Sequence, residues 1–210
     1  MMQYLNETPV ASIIFIFTLI TSIYAFNDRQ LMGNFMFHPY TVSKGSKLYT
    51  LITSGLIHAD WMHLFFNMFT FYFFAFRLEK MMGHWQFGLM YFLALVLSDI
   101  PPLIKHKDHF GYNSLGASGA ISAVLFSYIL FEPTTRLYVM FIPMPAILFA
   151  VLYLYYSWYM AKKGQDNIGH DAHFFGALTG LIFTVIFVPG IIPNFIEKLK
   201  LGIQYLTGGG

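Results

Sequence analysis

Charged residues are so few in this chain, and so bunched, that they divide it into long uncharged windows. Only 10% of the 210 residues are Asp, Glu, Lys or Arg, and six windows hold none: residues 8–27, 61–76, 81–98, 109–131, 137–161 and 172–196. Their lengths are 20, 16, 18, 23, 25 and 25 residues. A helix that crosses a bilayer needs about 20 mostly apolar residues, and an ionisable group placed in hydrocarbon is costly. Five windows have that length or nearly so, and the second has it if its helix begins near His58. The expected fold class is therefore an all-α membrane protein. Six transmembrane helices are expected at about 9–26, 58–78, 82–100, 115–131, 136–160 and 171–190. They form one domain over 1–210, with 191–210 as a C-terminal tail and no internal repeat.

The first window could pass for a signal peptide, but no basic residue precedes it and no small-x-small cleavage pattern follows Phe26. It is expected to be retained as a helix. About thirty residues, Asn27 to Ile57, join it to the second helix, far more than helix connections usually need. Apolar stretches such as Phe35-Met36-Phe37, set between Gly33, Pro39 and Gly45, suggest a folded element in the membrane interface. Placing the N-terminus inside puts five Lys and Arg inside and seven outside, so charge bias leaves the orientation open.

Net charge is +2, from 12 basic and 10 acidic residues, too balanced and sparse for a nucleic-acid stripe. Hydrophobic residues make up 57%, which excludes disorder. The absence of cysteine excludes disulfides, thiolate nucleophiles and thiolate metal sites. Any chemistry must come from Ser, His, Asn, Asp or Glu.

Polar residues inside a membrane protein are functional or paired, and here they fall into three clusters. The second helix opens with His58-Ala-Asp-Trp-Met-His63 and continues to Asn67, the fourth with Gly116-Ala117-Ser118-Gly119, and the sixth with His170-Asp171-Ala172-His173, followed by Gly176 and Gly180. In a six-helix chain the second, fourth and sixth helices run in the same direction, so the clusters share one side and a similar shallow depth. His63 and Asn67, four apart, share one helix face. Each cluster also has a structural reading: a hydrogen-bonded histidine, an interhelical asparagine, or small residues that allow close helix contact. Their coincidence at one depth argues for acyl transfer. Ser118 can attack, His173 can take its proton, and the Ser118 N–H with the His63 and Asn67 side chains can stabilise the oxyanion. Unpaired amides at a helix N-terminus favour that charge. Gly116 and Gly119 allow close backbone approach. They also let the fourth and sixth helices pack tightly enough for Ser118 and His173 to meet, and Gly176-x-x-x-Gly180 permits close helix contact.

These residues resemble the rhomboid intramembrane serine proteases. The likeness rests on His63-x-x-x-Asn67, Gly116-Ala117-Ser118-Gly119 and Ala172-His173-x-x-Gly176-x-x-x-Gly180, and on Arg77-Leu78-Glu79-Lys80 followed by Gly83 as the turn after the second helix. The resemblance implies a bundle of six transmembrane helices and a Ser118/His173 dyad, with His63 and Asn67 in the oxyanion site. It implies cleavage of transmembrane segments of other membrane proteins. It also implies a multi-pass protein of a bacterial cell membrane, with a cytoplasmic N-terminus and a site opening to the extracytoplasmic side. No cofactor, metal or nucleic-acid partner is implied. The long first loop would be the family's membrane-embedded element, and the fifth helix with the loop from Ala161 to His170 would form a lateral gate and cap.

The chain departs from the family pattern in places. Tyr49-Thr50 stands where many members carry Trp-Arg. Ser122 stands four residues after the nucleophile, where an aromatic often packs on the base, so another group must orient His173. Pro143 and Pro145 are expected inside the fifth helix as a kink. Asp171, two residues from His173, lies on a different helix face, which argues against a triad. Two competing functions remain open. One is a metal-dependent membrane hydrolase using His58, His63, His170, Asp171 and His173. The other is a non-catalytic binder of membrane helices.

Overall fold

The computed structural model describes residues 2–139, 141–163, 168–206 and 208. Residues 164–167 of the expected cap loop, and 207, 209 and 210 of the expected tail, lie outside the described residues.

A short helix α1 (Met2–Glu7) leads into α2 (Pro9–Asn27). Pro9 occupies the first turn of α2, where its missing N–H costs nothing. The long connection that follows is folded. It contains α3 (Arg29–Phe35), α4 (Pro39–Val42), α5 (Thr50–Thr53) and a 3-10 turn, Ser54–Leu56. Asp28 caps α3, its Oδ1 accepting from the Gln30 and Leu31 amides at 2.9 Å each. Phe37, fully buried, exchanges two backbone hydrogen bonds with Ser114 at 2.9 Å each. That bridge pins the connection to the segment just before Gly116. Thr50, the second residue of the Tyr49-Thr50 departure, is buried and its hydroxyl donates to the Lys47 carbonyl.

Helix α6 (Trp61–Met82) begins later than the expected residue 58 because Asp60 caps it, accepting from the His63 amide at 2.8 Å. Gly83, at φ +99°, turns the chain into α7 (His84–His106). This helix runs past the expected residue 100 and through Pro101 and Pro102. Helix α8 (Ser118–Phe131) follows, starting three residues after the expected 115.

The clearest departure comes next. Residues expected to open the fifth helix at 136 instead form an antiparallel hairpin, β1 (Arg136–Val139) with β2 (Ile142–Pro145), paired from Arg136↔Pro145 to Val139↔Ile142. Pro143 and Pro145 supply no N–H and push the preceding residues out of the helical region. A two-stranded ribbon, all edge, accommodates them. The bundle is therefore not purely α, and the prolines precede the helix rather than kink it. Helix α9 (Ala146–Lys163) starts directly after Pro145, and α10 (His170–Phe187) follows. Most of the expected tail is helical, as α11 (Ile191–Leu206).

Helix α8 is the central post: every residue from Gly119 to Leu130 is buried. A helix that is apolar all round must be enclosed, and α6, α7 and α10 enclose it. Cβ atoms at Gly176 and Gly180 would overlap the carbonyls of Gly119 and Ala123, so α8 and α10 meet backbone to backbone. The outside is also apolar, with Phe17 and Ile20 on α2, Phe65 and Phe69 on α6, Val151 on α9 and Ile186 on α10 all exposed. An interior and exterior that are both apolar mark an integral membrane protein. Among the described residues, α2, α7 and α10 are long and apolar enough to cross a membrane, and α8 is a shorter apolar helix.

At the opposite end of α6 from Asp60, Glu79 is fully buried, and its carboxylate accepts from the Val10 amide at 3.1 Å and the Ala11 amide at 2.7 Å. It satisfies the free N–H groups at the start of α2 and pairs with His84 Nδ1 at 2.7 Å. The turn noted in the sequence thus clamps α2 to α6.

Candidate active site

One end of the bundle opens into a cavity of about 910 Å³. It gathers His63 and Asn67 from the start of α6, Ser98 and Asp99 from α7, Ser118 from the start of α8, Met160 and Ala161 near the end of α9, and Asp171 and His173 from the start of α10. The three polar clusters read from the sequence therefore line a common space.

Ser118 is the first residue of α8, and no side chain caps that helix. Gly116 before it sits at φ +112°, a conformation that only glycine adopts without strain. It is fixed there by its N–H to the Ser54 carbonyl at 2.9 Å. His173 lies in the first turn of α10, its amide bonded to the Gly169 carbonyl at 3.0 Å. The close contacts at Gly176 and Gly180 bring the two helix starts together, and His173 Nε2 lies 2.8 Å from Ser118 Oγ. A serine hydroxyl at hydrogen-bond distance from an imidazole is the arrangement nucleophilic catalysis uses.

The His63 ring packs against Gly116: a Cβ there would lie 2.6 Å from His63 Cε1 and 2.8 Å from Nε2. The Ala59 amide donates to His63 Nδ1 at 3.4 Å, which leaves Nε2 to carry the ring proton in the neutral form. Asn67 is buried, and its Nδ2 donates one hydrogen to the His63 carbonyl at 2.9 Å. Its second amide hydrogen remains for another acceptor. Gly119 packs against Ser98 of α7, so small size at each of the four motif glycines has a steric cause.

Asp171 turns away from the base. Its Oδ2 pairs with Lys105 Nζ at 2.8 Å, and Lys105 also donates to the Ala161 carbonyl at 2.9 Å, stitching α7, α9 and α10 at the rim. His58 does not line the cavity. It is fully buried, with Nδ1 3.0 Å from Ser22 Oγ and Nε2 accepting from the Ala117 amide at 3.4 Å. Because the Ser22 hydroxyl donates to the Leu56 carbonyl, His58 Nδ1 carries the proton. Burial, then the neighbouring His63, push its pKa down to about 3 against the opposing pull of Asp60, so it is a neutral clip between α2 and the Gly116–Gly119 segment. Among the described residues, no group of three or more His, Asp or Glu side chains is placed to hold a metal ion.

Two aromatic rings flank the base, one of which the sequence reading did not single out. Tyr153, from α9, stacks on His173 with centroids 6.4 Å apart and planes 28° apart, and His170 meets the same ring edge-on at 6.0 Å. His170 belongs to a cluster noted in the sequence, whereas Tyr153 is one of several aromatics on an aromatic-rich helix, and only its contact distinguishes it.

The family model described as Rhomboid domain matches residues 45–190, a range that holds every residue of this cavity. The chain is similar to "RHOMBOID-like protein 12, mitochondrial" of Arabidopsis thaliana, at 32% identity over 174 residues covering 75% of this chain and 51% of that protein. It is also similar to "Putative rhomboid protease YdcA" of Bacillus subtilis (strain 168), at 32% identity over 145 residues covering 66% of each. The chain thus spans about half of the first relative and 66% of the second.

Proposed function

This chain belongs to the rhomboid family, and on that premise we propose that it is an intramembrane serine endopeptidase whose Ser118/His173 dyad cleaves transmembrane segments of other membrane proteins. The observation that carries the proposal is the 2.8 Å approach of His173 Nε2 to Ser118 Oγ within a cavity at one end of an apolar bundle.

The geometry supports the following chemistry. His173 Nε2 takes the hydroxyl proton as Ser118 Oγ bonds to the scissile carbonyl carbon. The carbonyl oxygen becomes an oxyanion facing the N-terminal amides of α8, His63 Nε2–H and the second amide hydrogen of Asn67. Imidazolium then gives its proton to the leaving amine as the C–N bond breaks. Water, activated by the same imidazole, hydrolyses the acyl-enzyme. A helix of 14 residues is about 21 Å long, short of the roughly 30 Å hydrocarbon layer. Ser118 therefore lies below the membrane surface, and the cavity supplies its water.

In this reading six helices span the membrane, α2, α6, α7, α8, α9 and α10, and the first connection lies in the interface. In the same reading the N-terminus is cytoplasmic and the cavity extracytoplasmic in a bacterial cell membrane; of the two relatives, one is bacterial and the other is named as mitochondrial. The test is to incubate purified protein with a panel of labelled single-pass helices. The wild type should cut a subset, and Ser118→Ala and His173→Ala should cut none. A chelator should leave the rate unchanged. Undiminished cleavage by either variant overturns the dyad. Loss of activity with chelator alone would favour a metal hydrolase. A wild type that neither cuts nor reacts with a fluorophosphonate would favour the non-catalytic binder.

A further inference from the structure

The position four residues after Ser118 holds a serine, and yet the face of His173 is not bare. Tyr153 covers it from α9, with the offset stacking geometry aromatic rings prefer. Ser122 takes a different part. Its hydroxyl donates to the Ser118 carbonyl at 2.9 Å, which uses its only hydrogen. The Tyr153 hydroxyl, 2.7 Å from Ser122 Oγ, must therefore be the donor in that contact. The result is a directed chain from Tyr153 through Ser122 to the carbonyl of the nucleophile's own residue. It ties the ring to α8, and Phe126 and Phe149 pack against the ring itself, with centroids 5.4 and 5.5 Å away.

We propose, resting on the dyad assigned above, that Tyr153 is the positioning residue of the catalytic base, held in register by Ser122. The base is thus aligned from α9, a helix that carries neither member of the dyad. Ala146, Ala150 and Ser157 are its fully buried residues, so the ring and its hydroxyl are among its main attachments to the site.

The experiment measures the rate at which a fluorophosphonate labels Ser118, together with kcat and KM for a cleaved helix, in the full chain. Tyr153→Leu removes the ring face and should slow labelling about 10- to 100-fold, as a small misplacement of a catalytic group does. It should lower kcat while leaving KM within about twofold. Tyr153→Phe keeps the ring and should restore labelling to within about threefold of wild type. Tyr153→Met supplies a long, flexible apolar chain without the ring, and should behave like Tyr153→Leu although the two side chains fill the space differently. Wild-type labelling rates in both the Leu and Met variants, or a rise in KM with labelling unchanged, would overturn the role of Tyr153 while leaving the dyad intact. A wild-type chain that takes no label, or a Ser118→Ala chain that still takes it, would overturn the dyad itself and this inference with it.

Discussion

At the scale of single residues, Ser118, His173, His63 and Asn67 were legible because each lies near a helix start at a spacing that chemistry explains. His58 and Tyr153 were not. His58 stood in the same cluster as His63, and only its two committed nitrogens separate a structural clip from a candidate ligand. That difference has a measurable consequence. The folded chain holds the pKa of His58 near 3, against 6.5 when unfolded. As pH falls below 6.5 the unfolded chain therefore binds a proton that the folded chain refuses, and stability declines toward pH 3. Thermal unfolding of wild type and His58→Gln from pH 7.5 down to 5 should show the advantage of the wild type shrinking with acidity. A constant difference would mean that His58 titrates alike in both states. Asn67→Ala belongs to the same scale. Loss of one oxyanion donor should reduce kcat by up to about 10²- to 10³-fold, and an unchanged kcat would remove Asn67 from the mechanism.

Among the elements, apolar windows located the helix interiors but not their ends. Ends depend on local chemistry that a window count ignores: the Asp60 cap on α6, and the pair Pro143 and Pro145 beside which eight expected helical residues pair as strands. The pairing of α8 with α10 was foreshadowed by Gly176-x-x-x-Gly180, and the structure supplies the reason. The methyl of an alanine at 176 would overlap the Gly119 carbonyl, so Gly176→Ala must separate the two helices just below the dyad. A shift of about 1 Å between reacting groups costs about 10²-fold. Fluorophosphonate labelling of Gly176→Ala should therefore fall by about that factor, and labelling at the wild-type rate would show that the helices can yield without disturbing Ser118 and His173.

Considered whole, the molecule separates two poles. The proposed active site lies where α6, α8 and α10 begin, and the clamp of Glu79 on α2 lies where α6 ends. Composition alone established a membrane protein. It could not reveal this division, because Glu79 and the start of α2 are 68 residues apart in sequence. Glu79→Ala strips the Ala11 and Val10 amides of their acceptor, at about 1–3 kcal/mol for each donor left unpaired. It should lower the unfolding midpoint while leaving the labelling rate of the folded fraction unchanged; a slowed rate would couple the poles. The contact of bare backbones between α8 and α10 has a further consequence for anyone redesigning this scaffold. A substitution library spread evenly over the chain would waste its diversity at 176 and 180, where neighbouring main chain leaves no room for larger side chains. New selectivity should be sought at Met160 and Ala161, beyond Tyr153 on α9, and at His109, Tyr112 and Asn113 in the segment joining α7 to α8, which line the cavity outside the contacts that join Ser118 to His173.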